Sequence, residues 1–127
     1  MEEEEIFTFE KVQSQLEGLY KEAGLLSKKS PNDAINKFKL KIINQLLVVS
    51  NSLLTGDYKP LDGFDTFEED DLPTNSDVTI ILEQYLNCLE KLRGDNVEYS
   101  DFDWRWLVSG SASSHITTKP QKLKEKK

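Results

Sequence analysis

The chain has 127 residues and a formal charge of −7, with 37% hydrophobic and 31% charged side chains. That allows one domain with a real core, not two, and the lack of any run of 18 apolar residues excludes a membrane-spanning helix. The acidic start MEEEEIF lacks the basic-then-apolar order of a secretory signal, and the single Cys88 cannot close an intramolecular disulfide, so a reducing, cytoplasmic setting is expected.

A first helix is expected from Thr8, a candidate N-cap with Glu10 in the first turn. Phe9, Val12, Leu16, Leu19, Tyr20 and Ala23 recur at three- and four-residue steps and make one apolar face. Gly24 suits the left-handed residue after a helix, with Leu25 as its apolar contact. A second helix is signalled by Ser30 as cap, Pro31 at the first helical position and Asp33 beside the free N–H groups. Ile35, Phe38, Ile42, Leu46, Val49 and Leu53 form its stripe, widened by Ala34, Ile43, Leu47 and Leu54. So broad an apolar arc has to be covered on several sides, which makes this helix the expected central element. Gly56 closes it.

Residues 56–75 read GDYKPLDGFDTFEEDDLPTN. Asp57, Asp62, Asp65, Glu68, Glu69, Asp70 and Asp71 stand against Lys59 alone, and Tyr58, Leu61, Phe64, Phe67 and Leu72 are threaded among them. Connections beyond about 12–15 residues are usually functional or disordered. The interleaved rings argue for a crossover lying on the helices, apolar side inward and carboxylates outward. An EF-hand with Gly63 at position six would put Tyr58, Pro60 and Asp62 at positions one, three and five, so only Asp62 could ligate there, although Glu69 falls at twelve. That spacing rejects the motif, and a run of consecutive carboxylates is ordinarily a solvated face.

A third helix is expected from Thr74, Asn75 or Ser76, with Thr74 and Asp77 resembling a capping box. Val78, Ile81, Leu82, Tyr85, Leu86, Leu89 and Leu92 face the core, and Gly94 ends it. The period then changes. Trp104, Trp106 and Val108 alternate with Arg105, Leu107 and Ser109, a strand pattern, and Val97 with Tyr99 offers a partner strand around a turn at 100–103. From Ser109 small polar residues and lysines dominate, so 109–127 reads as a disordered tail whose removal after Gly110 should leave the melting temperature unchanged. The last nine residues hold five lysines and one glutamate; taking that +4 from −7 leaves −11 on residues 1–118.

No phosphate-binding glycine loop, activated nucleophile or metal-ligand spacing occurs, so neither catalysis nor a cofactor is expected. Asp101 and Asp103 read as turn formers, Cys88 as an inert thiol, and His115 as a tail residue without a role. Lys28, Lys29, Lys37, Lys39 and Lys41 read as ion-paired or solvated rather than as a nucleic-acid face.

The fold class expected is mainly α. Three long helices form a small bundle over residues 1–108, with the acidic crossover, a short aromatic β-hairpin or strand, and the lysine-rich tail 109–127. The loop, the hairpin or a second copy of the chain would fill the groove that three helices leave open. The function expected is a non-catalytic protein–protein interaction module, an adaptor, accessory subunit or regulator. Two partner surfaces are candidates: the pair Trp104 and Trp106, and the carboxylates Asp65, Glu68, Glu69, Asp70 and Asp71. The partner would carry a basic surface. The alternative is an acidic regulator or decoy of nucleic-acid-binding machinery, or an accessory whose basic tail touches nucleic acid.

Overall fold

In the computed structural model, which describes residues 1–121, three α-helices precede a three-stranded antiparallel sheet. The elements are α1 (Glu3–Lys29), α2 (Lys37–Leu53), α3 (Asn75–Asp95), β1 (Val97–Ser100), β2 (Asp103–Val108) and β3 (Ser111–Thr117), with strand order β1-β2-β3. Two single 3-10 turns, Gly56–Tyr58 and Glu69–Asp71, interrupt the connection from α2 to α3.

The first helix is longer at both ends than its periodicity suggested. It starts at Glu3 rather than Thr8, because Glu3, Glu4 and Glu5 suit the positive end of the helix dipole. The Glu5 carboxylate also accepts from the Glu2 N–H at 3.2 Å. It passes through Gly24 and stops at Lys29, with Lys28 and Lys29 beside the free carbonyls. Pro31 explains the stop, since the residue before a proline is driven away from helical geometry.

Pro31 therefore ends one helix instead of opening the next. Residues 31–35 run against the far end of the acidic connection: Ile35 N–H donates to Pro73 O at 2.9 Å and Asn75 N–H to Asp33 O at 2.9 Å. Ala34 and Thr74 form an isolated antiparallel bridge. Backbone committed to that bridge cannot begin a helix, so α2 starts later, capped by Asn36, whose side chain accepts from Phe38 N (2.9 Å) and Lys39 N (3.2 Å). The buried stripe of α2 is Leu40, Ile43, Leu47 and Ser50. Ile42, Leu46, Val49 and Leu53 flank it half-buried, and Phe38, expected in the core, is 72% exposed. The central helix is α1, which packs against both α2 and α3.

At the start of α3 the local signals hold, although the helix runs through Gly94, expected to end it, to Asp95. Thr74 Oγ1 accepts from Asp77 N and Asp77 Oδ2 accepts from Thr74 N, both at 3.1 Å, a complete capping box. Val78, Leu82, Tyr85, Leu89 and Leu92 are buried.

The hairpin of β1 and β2 forms in the expected register, with Val97 opposite Trp106 and Tyr99 opposite Trp104. The stretch after Ser109 does not follow expectation. Ser111–Thr117 pairs with β2 as the third strand, Trp104 opposite Thr117 and Val108 opposite Ser111. Its order comes from backbone pairing and from one buried ion pair, neither of which composition reveals. Arg93 donates to Glu90 through Nε (2.8 Å to Oε1) and Nη2 (2.8 Å to Oε2). Nη1 donates to Thr117 Oγ1 (2.9 Å) and Thr118 O (2.8 Å), and Nη2 also to Lys119 O (3.4 Å). Gln13 Nε2 and Gln121 N complete the coordination of Glu90 at 3.1 and 2.8 Å. The cluster thus ties α1, α3 and the chain after β3 together. Residues 122–127 of the expected tail lie outside the described residues.

The sheet meets α1 through Trp106. Its ring is fully buried, sits edge-on to Phe9 at 5.1 Å and 71°, and its Nε1–H donates to Glu10 Oε1 at 2.9 Å.

Candidate functional site

The connection between α2 and α3 is held at four points, each on a helix already in place. Tyr58 donates its hydroxyl to Asp95 Oδ2 at 2.5 Å, fixing the first 3-10 turn to the end of α3. Burial foremost, and then the Asp95 carboxylate, pushes the Tyr58 phenol up to about 12, so it stays a donor at neutral pH. Asn44 on α2 gives Phe67 a reciprocal pair: its Nδ2 donates to Phe67 O at 3.0 Å and its Oδ1 accepts from Phe67 N at 2.9 Å. Asn51, two turns further along the same helix, donates to Asp65 O at 2.9 Å and accepts from Tyr85 OH at 2.7 Å. Phe64 packs edge-on to Phe67 (5.1 Å) and to Tyr85 of α3 (6.4 Å).

These contacts sort the connection by chemistry. The rings of Tyr58, Phe64 and Phe67 are half-buried against α2 and α3, while Asp57, Asp62, Asp65, Glu68, Asp70 and Asp71 are exposed and Glu69 is half-buried. Lys59 lies 3.4 Å from Asp65. Between the connection and α3 runs an open groove of about 340 Å³, floored by Phe64, Phe67, Pro73, Ile80 and Ile81 and rimmed by Asp71 and Asp77. Ile80 is 54% exposed, and Leu72 beside the groove is 53% exposed. Leu72 also has φ 49°, a left-handed conformation that branched aliphatics rarely adopt.

An apolar floor within a carboxylate rim can bind an apolar side chain flanked by cations. A larger groove of about 410 Å³ between α1 and α2 has Val12, Leu46 and Val49 as its apolar lining and Lys11 as its charged member. One charged side chain lines that groove, against two in the groove beside α3. Among the described residues no group of three His, Cys, Asp or Glu side chains is placed to hold a metal ion, and no helix is long and apolar enough to cross a membrane.

Of the residues singled out from sequence, Asp65, Glu68, Glu69, Asp70 and Asp71 lie together on this connection. Trp104 and Trp106 lie elsewhere, on β2. Trp106 is a core residue, not a surface anchor: alternation sets the face of a strand but not its depth, and α1 covers this one. Trp104 is half-buried, edge-on to Tyr99 at 5.6 Å. Lys39 pairs with Glu22 at 2.6 Å, and His115, on β3, lies 3.5 Å from Glu3.

Sequence reasoning missed Asn44, Asn51 and Ile80, and read Asp77 only as the partner of Thr74 in the capping box. The signal for the asparagines was present: positions 44, 47 and 51 share one face of α2, so two amides interrupt an apolar stripe where they need partners. Ile80 sits just off the core face of α3 and reads as an ordinary surface residue. The chain matches no protein-family model, no curated protein and no solved structure.

Proposed function

We propose that the protein is a non-catalytic interaction module, an adaptor, accessory subunit or regulator, that binds a basic partner through the groove between the α2–α3 connection and α3. The observation that carries this reading is the pairing of an apolar floor (Phe64, Phe67, Pro73, Ile80, Ile81) with an acidic rim (Asp71, Asp77) on a connection fixed by Asn44, Asn51 and Tyr58. A surface held in advance loses little entropy on binding. The partner segment presents an apolar side chain to the floor, with lysine or arginine on either side. In this reading the helices form a small bundle whose open side the connection fills, and the protein acts in the cytoplasm without chemistry of its own.

A second reading draws on the exposed carboxylates Asp57, Asp62, Asp65, Glu68, Asp70 and Asp71 alone. They suit a decoy that occupies the basic groove of a nucleic-acid-binding protein. The two separate by variants used as bait in the cell of origin. Ile80→Lys abolishes capture in the first reading, because it removes part of the floor and adds a like charge. In the decoy reading Ile80→Lys is tolerated, and added nucleic acid competes for the captured protein. Capture unaffected both by Ile80→Lys and by neutralising Glu68 through Asp71 contradicts both.

A further inference from the structure

The sheet contains two turns that solve one geometric problem differently. Asp101-Phe102 joins β1 to β2, and Ser109-Gly110 joins β2 to β3. All four residues have positive φ: 50° and 67° in the first turn, 52° and 80° in the second. Positive φ at both central positions is the type I′ pattern, which matches the twist of paired strands and favours Asn, Asp and Gly. Gly110 takes the second position without steric cost. Phe102 takes the same position with a bulky side chain, for which a left-handed φ is a true outlier.

Strand pairing on either side and the Arg105 Nε–H donated to Ser100 O at 3.0 Å hold the turn, but the Phe102 side chain gains no burial from it. Phe102 is 92% exposed, the highest value among the large apolar side chains described. A strained backbone that persists without a packing return points to a use outside the molecule. The surroundings state the chemistry. Tyr99, 58% exposed, extends the aromatic surface behind the tip and is braced edge-on by Trp104 at 5.6 Å. Asp101 is exposed in the turn itself; Glu98, on the opposite face of β1 from Tyr99, stands across from Arg105, whose guanidinium lies 3.7 Å from Asp103.

We infer that the Asp101-Phe102 turn is a docking wedge: Phe102 enters an apolar pocket on a partner protein, and lysine or arginine at the rim of that pocket meets Asp101. Buried aromatic anchors ringed by polar contacts are the usual energetic centres of interfaces. Carboxylates around the tip oppose an anionic lipid surface and a phosphate backbone. A second copy of this chain is disfavoured by its excess of carboxylates over residues 1–118, where the charge is −11. The wedge stands on its own residues and does not rest on the groove beside α3.

The test places the photoreactive residue p-benzoylphenylalanine at position 102 of the full chain in its own cell. Position 109, in the sister turn, serves as the control, and adducts are mapped by mass spectrometry. The expected result is an adduct specific to position 102 on another protein, at an apolar pocket bordered by lysine or arginine. Phe102→Gly should then weaken binding to that protein by about tenfold or more while the melting temperature stays level or rises. The inference is overturned by labelling no stronger than at position 109, or by adducts on another copy of this chain, on lipid, on nucleic acid or on a surface without cations. Unchanged binding by Phe102→Gly overturns it too. So does a lowered melting temperature, which would assign Phe102 to the fold.

Discussion

Replacing Arg93 by methionine removes the centre of the only cluster of buried opposite charges among the described residues. Arg93 is 6% exposed and Glu90 8%, and all five guanidinium N–H donors have acceptors on Glu90, Thr117, Thr118 and Lys119. In Arg93→Met the Glu90 carboxylate keeps only Gln13 and the Gln121 N–H. Removing one partner of a buried pair costs about 3–5 kcal/mol, chiefly because the other charge is left without compensation. For a chain of this length that is a fall of about 10–20 °C in melting temperature.

The pH dependence gives a second readout. Burial by itself raises the Glu90 carboxyl, but the Arg93 bonds, the Gln121 N–H and the Gln13 amide together hold it below its ordinary value of 4.5. A folded value below the unfolded one means that the contribution is complete above about pH 4.5 and is lost as the pH falls through the lowered value. In Arg93→Met the lowering by Arg93 is lost, so the folded value rises and the variant loses less stability than the parent as the pH falls. The variant's deficit should therefore shrink on acidification. Urea denaturation at neutral and mildly acidic pH measures both effects, and amide exchange should show β3 losing protection first. Glu90→Leu combined with Arg93→Met should recover much of the loss, since an apolar pair no longer leaves a buried charge. A single variant within about 1 kcal/mol of the parent, well short of the expected cost of an unpaired buried charge, with β3 still protected, would refute the reasoning.

Two further predictions follow from the sheet. Cutting the chain after Gly110 deletes β3 and the acceptors Thr117, Thr118 and Lys119, so the melting temperature should fall as far as in Arg93→Met; an unchanged value in a thermal scan would show that the third strand adds nothing. Trp106→Ala should cost about 3–5 kcal/mol as a core truncation that also strands the Glu10 contact, whereas Trp104→Ala, half-buried on β2, should cost less than half as much; equal losses in chemical denaturation would contradict the assigned depths.

What the sequence made legible was local. The Thr74–Asp77 box needs only four residues, and the β1–β2 register follows from alternation closed by a two-residue turn, so both could be read without the rest of the fold. Pro31 shows where local signals fail: it is compatible with a helix start and with a helix stop. The choice was made some forty residues away, by the bridge of Ala34 to Thr74. β3 failed for the same reason, since Ser111–Thr117 has little to bury and is ordered by β2 and Arg93. At the candidate site, the alternation of rings and carboxylates in residues 56–75 was enough to place the acidic face. Its floor on α3 was not, because Ile80 acquires meaning only once Phe64 and Phe67 lie beside it.

The most direct test of the central claim is an amide chemical-shift titration of the intact protein with a short peptide of alternating lysine and leucine, repeated at rising salt. The groove reading predicts shifts clustered at Phe64, Phe67, Asp71, Asp77, Ile80 and Ile81, absent in Ile80→Lys and weakening as salt screens the rim. Shifts spread over every acidic surface, or centred on the α1–α2 groove at Val12, Leu46 and Val49, would contradict it.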